Sequence, residues 1–222
     1  MRLLIATNNA HKKRELAGIF SGHDVVTPSD LGLEFNVDET GESFLENALL
    51  KARALKSLVE PGGEADAYSS GHDDRQTIIV ADDSGLCVDA LGGGPGVYSA
   101  RFGSPDGGIT ELDAPSRNSL LLQSIAGAQT RAAHFVCCMV ALVPGDRIVV
   151  AQESWHGLIA EEPSGAAGFG YDPVFYVPEL AVTAAELPDE RKNQLSHRGR
   201  ASRVLLVALR EALALEEDGG RA

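Results

Sequence analysis

The stretch RLLIATNNAHKKRELAGIF, residues 2–20, predicts a strand, a short polar turn and then a helix. Residues 2–7 contain the apolar run of residues 3–6, which is typical of a buried strand. An apolar side that includes Leu16 and Phe20 indicates a helix over residues 10–20. A strand that leads directly into a helix is the opening unit of an α/β fold.

Further strands and helices are predicted along the rest of the chain. Ser43 and Glu46 form a capping box, which begins a second helix that ends at Pro61. The other predicted elements are a strand over residues 77–81 that polar residues 82–85 close, a helix over 115–126, strands over 131–143 and 147–157, and a final helix over 202–215. Pro144 and Gly145 indicate that the last two strands form a long hairpin. Strands that alternate with helices, together with this hairpin, predict an α/β protein with a mixed β-sheet flanked by helices.

The charge of the chain narrows its choice of partners. Among 222 residues, 19 Lys and Arg stand against 32 Asp and Glu, which gives a formal net charge of −13. Proteins that bind nucleic acid without sequence specificity are usually basic, because their affinity comes from neutralising phosphates. We therefore expect no nucleic-acid partner.

Hydropathy gives no sign of a membrane segment. The longest apolar run, residues 135–143, stops at Pro144 and is far shorter than the roughly 18 residues that suggest a membrane span. The apolar run at residues 3–6 is too short for the core of a signal peptide. We expect a cytoplasmic protein with no membrane partner, folded as a single domain over residues 1–222.

Cysteine and histidine spacing does not favour a zinc site. Cys87, Cys137 and Cys138 contain no CxxC pair, and we expect them to be buried, reduced thiols that act as small apolar side chains. The six histidines form neither an HExxH motif nor another paired zinc spacing.

Three cations, Lys12, Lys13 and Arg14, fall in the first turns of the helix predicted over residues 10–20. Cations oppose the helix dipole there by roughly 0.3–1 kcal/mol each, whereas a bound anion is favoured by the dipole and by the free N–H groups. The segment is therefore either a phosphate site, with Lys12 as a contact, or a solvated basic face.

Asp82 and Asp83 follow an apolar strand, and neighbouring strand residues face opposite ways, so that one of the two is expected to point into a cleft. Carboxylates beside substrate phosphates are the usual ligands of Mg²⁺, since the ion keeps several waters and is rarely caged by protein alone. An Asp pair that forms a turn is the alternative. Further acids that could complete a metal site are Asp38, Glu39, Glu42 and Glu46, although these could equally form a solvated acidic stretch.

Two later segments carry aromatic rings and cations. The sequence GFGYDP, residues 168–173, combines flexible backbone, two rings and a carboxylate. Such rings stack on a nucleobase while backbone and carboxylate groups read its hydrogen-bonding edge, and a packed aromatic turn is the alternative. The run RKNQLSHRGRASR, residues 191–203, is the densest group of cations and contains no acid. It is either a polyanion site or a basic surface before the last helix.

Five islands of sequence, taken in order, resemble the inosine triphosphate pyrophosphatase family. They are TNNAHKKREL (residues 7–16), ETGESFLENALLKA (39–52), ADDSGLCVDALGGGPGVYSARF (81–102), GFGYDPVF (168–175) and KNQLSHRGRA (192–201). The islands span residues 7–201, so that the resemblance covers nearly the whole chain. Five islands in order are far more specific than any one of them.

The resemblance implies both a fold and a reaction. The fold is a mixed sheet with flanking helices, in two lobes with a central substrate cleft. The reaction is hydrolysis of non-standard purine nucleoside triphosphates (ITP, dITP, XTP and dXTP) to the monophosphate and pyrophosphate, which cleanses the nucleotide pool. It proceeds by attack of water at the α-phosphorus, with Mg²⁺, Lys and Arg neutralising the triphosphate, and such transfer depends mainly on positioning and charge neutralisation. The resemblance also suggests a homodimer.

The resemblance further implies roles for single residues. Asp83 is expected to be the general base and a Mg²⁺ ligand, and the second ligand is expected in the acidic pair, as Glu39 with Asp38 as the alternative. The expected substrate contacts are Thr7, Asn8, Asn9, Ala10, His11 and Lys12, then Ser84, then Phe169, Gly170, Tyr171 and Asp172 around the purine, and finally Lys192, His197 and Arg198. A donor such as Arg198 favours the oxygen at purine position 6 and leaves adenine poorly matched.

Two other functions stay open from the sequence. One is a nucleotide pyrophosphatase for pyrimidine or modified bases, as in the septum-inhibitor-like family, against which GFGYDP and SHRGRA argue. The other is a nucleotide-sensing or nucleic-acid-binding module without turnover, against which the net charge of −13 weighs. The polar stretch at residues 62–76 is longer than the family leads us to expect and predicts an exposed loop.

Overall fold

The computed structural model describes residues 1–60, 77–106, 112–144 and 147–219, with side chains through residue 214. The loop predicted at residues 62–76 and most of the turn predicted at 144–146 lie outside the described residues. No helix within the described ranges is long and apolar enough to cross a membrane.

Within the described residues, seven strands form one mixed sheet. They are β1 (Arg2–Ile5), β2 (Asp24–Val26), β3 (Thr77–Val88), β4 (Ala132–Val143), β5 (Arg147–Ile159), β6 (Phe175–Val177) and β7 (Val182–Thr183), and their order across the sheet is β2-β1-β3-β4-β5-β6-β7. β1 pairs in parallel with β2 and with β3, whereas β6 pairs antiparallel with β5 and with β7. The predicted α/β fold with a mixed sheet is confirmed.

Helices and short 3-10 turns connect the strands. The helices in the described ranges are α1 (Ala10–Ile19), α2 (Phe44–Val59), α3 (Ala114–Ser124), α4 (Asp189–Leu195) and α5 (His197–Gly219). Helix α2 begins at the predicted capping box: Glu46 N donates to Ser43 Oγ over 3.2 Å, and Ser43 N donates to Glu46 Oε2 over 3.0 Å. The 3-10 helices are Pro28–Leu31, Asp89–Leu91, Gly96–Arg101, Asp172–Val174 and Ala184–Glu186.

The opening stretch folds as its pattern predicts. Leu3 and Leu4 of β1 are fully buried, and so is Leu16 of α1. Parallel strands need a crossover connection, and α1 provides it between β1 and β2.

β3 is longer than predicted. The prediction that polar residues 82–85 close this strand is wrong, because β3 continues through them to Val88. Asp82 and Asp83 each pair with a lysine, which offsets the cost of burying their charge inside a strand. Both carboxylates therefore lie within β3 and not at the carboxyl end of a strand.

The final helix begins earlier than predicted. α5 starts at His197 instead of residue 202, because Ser196 caps it: Gly199 N donates to Ser196 Oγ over 3.1 Å. The predicted start followed the apolar residues, whereas the cap lies inside the cationic run. The short elements β2, β6, β7 and α4 are not predicted, since two to seven residues carry little periodicity.

β4 and β5 form the predicted hairpin. They are neighbours in the sheet and only three residues separate them, whereas a parallel connection needs a dozen or more. At the end far from the turn, Ile159 N donates to Arg131 O over 2.8 Å, and Arg131 Nε donates to Ile159 O over 2.6 Å. These bonds close the open end of the hairpin.

The chain divides into two compact units. Unit 1 comprises Met1–Asp83, Cys138–Gln152 and Ala201–Ala222. In its core, α2 packs against β1 and β3. The fully buried side chains of α2 there are Ala48, Ala52 and Leu55, while β1 and β3 contribute Leu4, Ile79 and Ala81, and Ala6 follows directly after β1. The single domain predicted over the whole chain stays a prediction.

Unit 2 comprises Ser84–Cys137 and Glu153–Arg200 and has a core rich in aromatic rings. The ring centroid of Phe175 lies 4.6 Å from that of Phe135 and 5.1 Å from that of Trp155. Such tilted pairs contribute beyond the area that they bury.

The cysteines behave largely as predicted. Cys137 and Cys138 are buried and Cys87 is half-buried, and no disulfide joins them. Burial raises the pKa of the Cys138 thiol to about 11, with the charges of Asp83 and Asp82 adding to the effect, which keeps the thiol protonated and unreactive at neutral pH.

Candidate active site

Five ionisable side chains form a carboxylate–lysine cluster in unit 1, namely Lys12, Glu39, Lys51, Asp82 and Asp83. Asp82 and Asp83 are neighbours on β3, where successive side chains point to opposite faces. Each therefore meets its own lysine. Lys12 Nζ lies 3.0 Å from Asp82 Oδ2, and Lys51 Nζ lies 2.8 Å from Asp83 Oδ1.

Lys51, on α2, joins two acids of the cluster, Asp83 and Glu39, and is a residue that sequence reasoning misses. Its Nζ donates to Asp83 Oδ1 over 2.8 Å and to Glu39 Oε1 over 3.0 Å, and the residue is buried. Its place on the helix is a signal that could have found it. Lys51 lies three residues after Ala48 and four before Leu55, on the buried side of α2, where an unpaired lysine is too costly to bury.

Burial and ion pairing both act on the two charges of this pair. Burial raises the pKa of Asp83, and the positive charges of Lys51 and Lys12 offset that rise only in part. Burial by itself lowers the pKa of Lys51, but the charges of Asp83, Asp82 and Glu39 outweigh it, so that the pKa of Lys51 is raised. Lys51 therefore stays an ammonium ion at neutral pH.

The two acids before α2, Asp38 and Glu39, have different surroundings. Glu39 is half-buried and reaches Lys51, whereas Asp38 is exposed. Asn47 contributes a second contact to Asp83, since its Nδ2 lies 3.5 Å from Asp83 Oδ2. Of the two acids, Glu39 is the one that the fold brings to Asp83.

The donor set of the cluster fits a magnesium ion. Glu39 and Asp83 already meet one positive charge, the ammonium of Lys51, and carboxylate oxygens are the ligands that Mg²⁺ prefers. In the part of the chain that the structure describes, no three His, Cys, Asp or Glu side chains are grouped to hold a metal by themselves. Mg²⁺ usually needs only one or two carboxylates, because waters and substrate phosphates supply the other ligands.

The start of α1 differs from the predicted anion site in one respect. Asn9 is the N-cap, and its Oδ1 accepts from His11 N over 2.9 Å and from Lys12 N over 3.2 Å. Two of the amides expected to be free for an anion are therefore already capped. Asn9 N in turn donates to Thr7 Oγ1 over 3.1 Å, and Asn8 Nδ2 donates to Phe35 O.

The three cations of α1 have different surroundings. Lys12 is paired with Asp82, and Lys13 Nζ lies 2.5 Å from Asp30 Oδ1, while Arg14 is exposed. Ala10 and His11 are exposed at the helix start. Lys12 is thus the only one of the three cations that belongs to the cluster.

In unit 2, residues 168–172 form a turn that carries two aromatic rings, called the aromatic turn. Gly168 and Gly170 adopt positive φ values of 72° and 63°, which favour glycine. A Cβ at Gly168 would overlap the carboxylate of Asp172. Phe169 N donates to Asp172 Oδ2 over 2.7 Å, so that Asp172 folds the turn back on itself.

Two buried cations lie against the ring of Phe169. Lys192 Nζ is 5.0 Å from the ring centroid and Arg198 Cζ is 5.6 Å from it, distances typical of cation–π contacts. Lys192 Nζ also lies 2.6 Å from Asp172 Oδ2, and both side chains are 4% exposed. The interpretation of residues 191–203 as a basic surface is wrong for these two cations, because α4 and the start of α5 bury them.

Ser84 and His197 complete the predicted contacts of unit 2. Arg198 Nη2 donates to Ser84 Oγ over 2.8 Å, which fixes the guanidinium while it lies against Phe169. His197 is buried, and its ring stacks on that of Phe135 with centroids 4.7 Å apart. The structure thus gathers Ser84, Phe169 and Arg198.

The side chain of Tyr171 lies inside unit 2, and its predicted contact with the purine stays a prediction. Its side chain is buried, and its hydroxyl donates to Ser99 O over 2.8 Å. Burial raises the pKa of this phenol, so that it remains a donor at neutral pH. The side chain of Tyr171 therefore supports the aromatic turn from within unit 2.

The two units carry different kinds of groups. Unit 1 offers ammonium groups and carboxylates, which suit phosphates and a metal, and unit 2 offers a ring with donors beside it, which suit a base. The fold and these groups define an α/β protein that processes nucleotides. The chain belongs to the Ham1 family, whose model matches residues 3–208.

Relatives and solved structures match this chain over nearly its full length. The dITP/XTP pyrophosphatase of Treponema denticola is 43% identical over 201 residues, which cover 90% of this chain and 94% of that protein. The protein of the same name from Yersinia pestis is 43% identical over 215 residues, covering 95% and 99%. The structure of the Staphylococcus aureus Ham1 protein matches with a TM-score of 0.74 at 35% identity and covers 96% of this chain and 100% of that one.

Proposed function

We propose that this protein hydrolyses non-standard purine nucleoside triphosphates, namely ITP, dITP, XTP and dXTP, to the monophosphate and pyrophosphate, and so removes them from the nucleotide pool. The observation that carries the proposal is the meeting of one buried lysine, Lys51, with Asp83 and Glu39. It occurs in a chain 43% identical to proteins named dITP/XTP pyrophosphatase.

Asp83 is the group suited to activate water. Its carboxylate accepts a proton from the water, whose oxygen forms a bond to the α-phosphorus while the bond from that phosphorus to the bridging oxygen breaks. Pyrophosphate leaves, and the nucleoside monophosphate remains. Lys51 holds Asp83 through Oδ1 at 2.8 Å and Asn47 lies near Oδ2, which orients the carboxylate.

The charges of unit 1 suit the triphosphate. Lys12 and Lys51 are ammonium groups buried or partly buried in the cluster, and charges in such surroundings act more strongly on phosphate oxygens than charges in water. We propose Asp83 and Glu39 as the residues that hold Mg²⁺. When bound, the ion neutralises developing charge on the phosphates.

The groups of unit 2 suit the base. The Phe169 ring offers an apolar face, and the Arg198 guanidinium, fixed by Ser84, offers donors to an oxygen at purine position 6. An adenine presents a donor at that position and leaves the guanidinium unmatched. Sites built on hydrogen bonds reject an analogue that lacks the partner by up to about 10⁴–10⁵ in favourable cases.

The remaining parts of the proposal concern assembly and location. We propose a homodimer, which light scattering coupled to size exclusion would test directly. We propose the cytoplasm as the place of action, because the nucleotide pool that supplies this substrate lies there. The net charge of −13 supports a small nucleotide as partner over a nucleic acid.

A substrate panel tests the reaction. Pure protein with Mg²⁺ is incubated separately with ITP, XTP, dITP, GTP, ATP, UTP and dTTP, and pyrophosphate and orthophosphate are measured independently. We expect pyrophosphate as the first product and rates on ITP, dITP and XTP far above the rest. Orthophosphate as the first product, or equal rates on ATP, would overturn the proposal, and a preference for UTP or dTTP would favour the pyrimidine alternative.

A further inference from the structure

Asn118, on α3, is a buried side chain that the proposed reaction does not use. It is 3% exposed, and its Nδ2 donates to the carbonyl oxygen of Gly170 over 3.0 Å. Gly170 lies 52 residues further along the chain, in the aromatic turn. One amide group therefore ties α3 to the segment that carries Phe169.

The second polar atom of Asn118 shows what the amide contributes. Within the described residues, Asn118 Oδ1 is buried and makes no hydrogen bond. A buried acceptor without a partner costs stability, and an apolar side chain of similar size avoids that cost. The contribution of the amide is thus its donor bond to Gly170.

The aromatic turn requires a stabilising contact of this kind. Gly168 and Gly170 both have positive φ. Because glycine populates many backbone conformations, the local sequence alone does not fix the conformation of the turn. Asp172 holds one side of it, through Phe169 N and Lys192. Asn118 holds the Gly170 carbonyl, one residue after Phe169, from the other side.

The residue before Asn118 strengthens the same attachment. Arg117 Cζ lies 5.4 Å from the ring centroid of Tyr171, and Arg117 Nη1 donates to Ala100 O over 2.6 Å. The Tyr171 hydroxyl donates to Ser99 O, next to Ala100. The first turns of α3 thus contact the aromatic turn at both Gly170 and Tyr171.

We infer that Asn118 is a positioning residue for base recognition: by fixing the Gly170 carbonyl it sets the Phe169 ring against Arg198 and Lys192. All of these contacts lie within unit 2, whereas the charges suited to the triphosphate lie in unit 1. The inference rests on the proposed function, since it concerns the base of that substrate. Asn118 governs affinity for the base and leaves affinity for the phosphates unchanged.

Two ligands that share only the phosphate part separate these effects. Calorimetry gives the dissociation constants for ITP and for inorganic tripolyphosphate. ITP binding is measured without Mg²⁺, so that turnover is absent. The variants are Asn118→Asp, which keeps the shape and loses the donor, and Asn118→Ala. The matched control is Gln123→Ala, an exposed side chain of α3 that donates only to Ser119 Oγ among the contacts described.

We expect both Asn118 variants to weaken ITP binding about ten-fold, the size of one hydrogen bond between neutral groups, and to leave tripolyphosphate binding unchanged. In the presence of Mg²⁺, the KM for ITP rises by the same factor, kcat changes far less, and the preference for ITP over ATP falls. Gln123→Ala leaves every one of these quantities as in the wild type.

Equal weakening of both ligands, or unchanged ITP binding, overturns the inference. If Asn118→Asp does not fold by circular dichroism, the Asn118→Ala result decides. The two proposals fail differently, because a wild-type protein that does not hydrolyse ITP removes the proposed function, whereas active wild type with unaltered Asn118 variants removes only the role of Asn118.

Discussion

Lys51 Nζ lies 2.8 Å from Asp83 Oδ1, and both side chains are less than one tenth exposed. The two residues come from a helix and a strand that are separated by a long stretch of chain, yet their charges compensate each other inside unit 1. Each charge offsets the energetic cost of burying the other. Glu39 Oε1 accepts from the same ammonium group over 3.0 Å.

Removal of the lysine should destabilise the fold strongly. Lys51→Met keeps the length of the side chain but leaves Asp83 as a buried charge without its partner, which typically costs about 3–5 kcal/mol. Lys56→Met, on the same helix, breaks an exposed pair with Glu60 and should cost less than about 1 kcal/mol. Urea denaturation of the two variants checks the difference, and equal midpoints would contradict the buried pairing.

Asp83→Asn should abolish most of the turnover and lower the stability, while the fold is retained because Lys51 keeps Glu39 as a partner. Loss of a general base lowers kcat by roughly 10²–10⁴, while the amide keeps the shape of the carboxylate. Asp89→Asn, an exposed acid just after β3, is the control and should retain wild-type turnover. Pyrophosphate release under saturating ITP measures both, and near wild-type kcat in Asp83→Asn would remove Asp83 from the role of base.

The two acids before α2 should differ in their effect on magnesium. Glu39→Gln removes a proposed ligand and should raise the Mg²⁺ concentration for half-maximal activity about ten-fold or more. Asp38→Asn changes an exposed side chain and should leave it unaltered. A Mg²⁺ titration at fixed ITP compares them, and the reverse order would assign the ligand to Asp38.

Arg198→Lys should reduce discrimination more than catalysis. Lysine keeps the positive charge but loses the planar group that reaches Ser84 Oγ over 2.8 Å and lies against Phe169. We expect the ratio of kcat/KM for ITP to that for ATP to fall at least about ten-fold. A ratio equal to that of the wild type would show that the oxygen at position 6 is read by another group.

Asp30 should contribute stability that depends on pH. The hydrogen bond from Lys13, together with those from Thr27, lowers the pKa of Asp30 from 3.8 to about 2. A lowered pKa in the folded state gives stability that is complete above pH 3.8 and lost as pH falls toward 2. Because the side chain is 38% exposed, solvent screens the pair and the contribution should be below about 1 kcal/mol.

Asp30→Asn tests this expectation against the wild type. Denaturation midpoints at several pH values between about 7 and 2 should show a small deficit in the variant that is constant at neutral pH and narrows as the pH falls from 3.8 toward 2. A deficit that stays constant over this range would mean that the carboxylate charge does not act through Lys13. If the carboxylate does act through Lys13, addition of Lys13→Gln to Asp30→Asn causes no further loss of stability at neutral pH.

The sequence predicted most of the long elements because their signals are local. The capping box of Ser43 and Glu46 begins α2, and the apolar runs of β1 and β4 are read within a few neighbours. The strand that contains Asp82 and Asp83 was cut short, since polarity within a window cannot show that lysines from distant segments compensate the charges. The start of α5 was placed late for a similar reason, because the capping Ser196 lies among cations.

By itself, the sequence determined the α/β class, the order of the main strands and helices, and the residue types available for a phosphate and a base. The tertiary structure decided which of those residues meet. Lys51 reaches Asp83 across 32 residues, and Asn118 reaches Gly170 across 52. The sequence could not show either contact, because helix and strand signals extend over a few residues, whereas such pairs form only when packing brings distant elements together and removes water from between them.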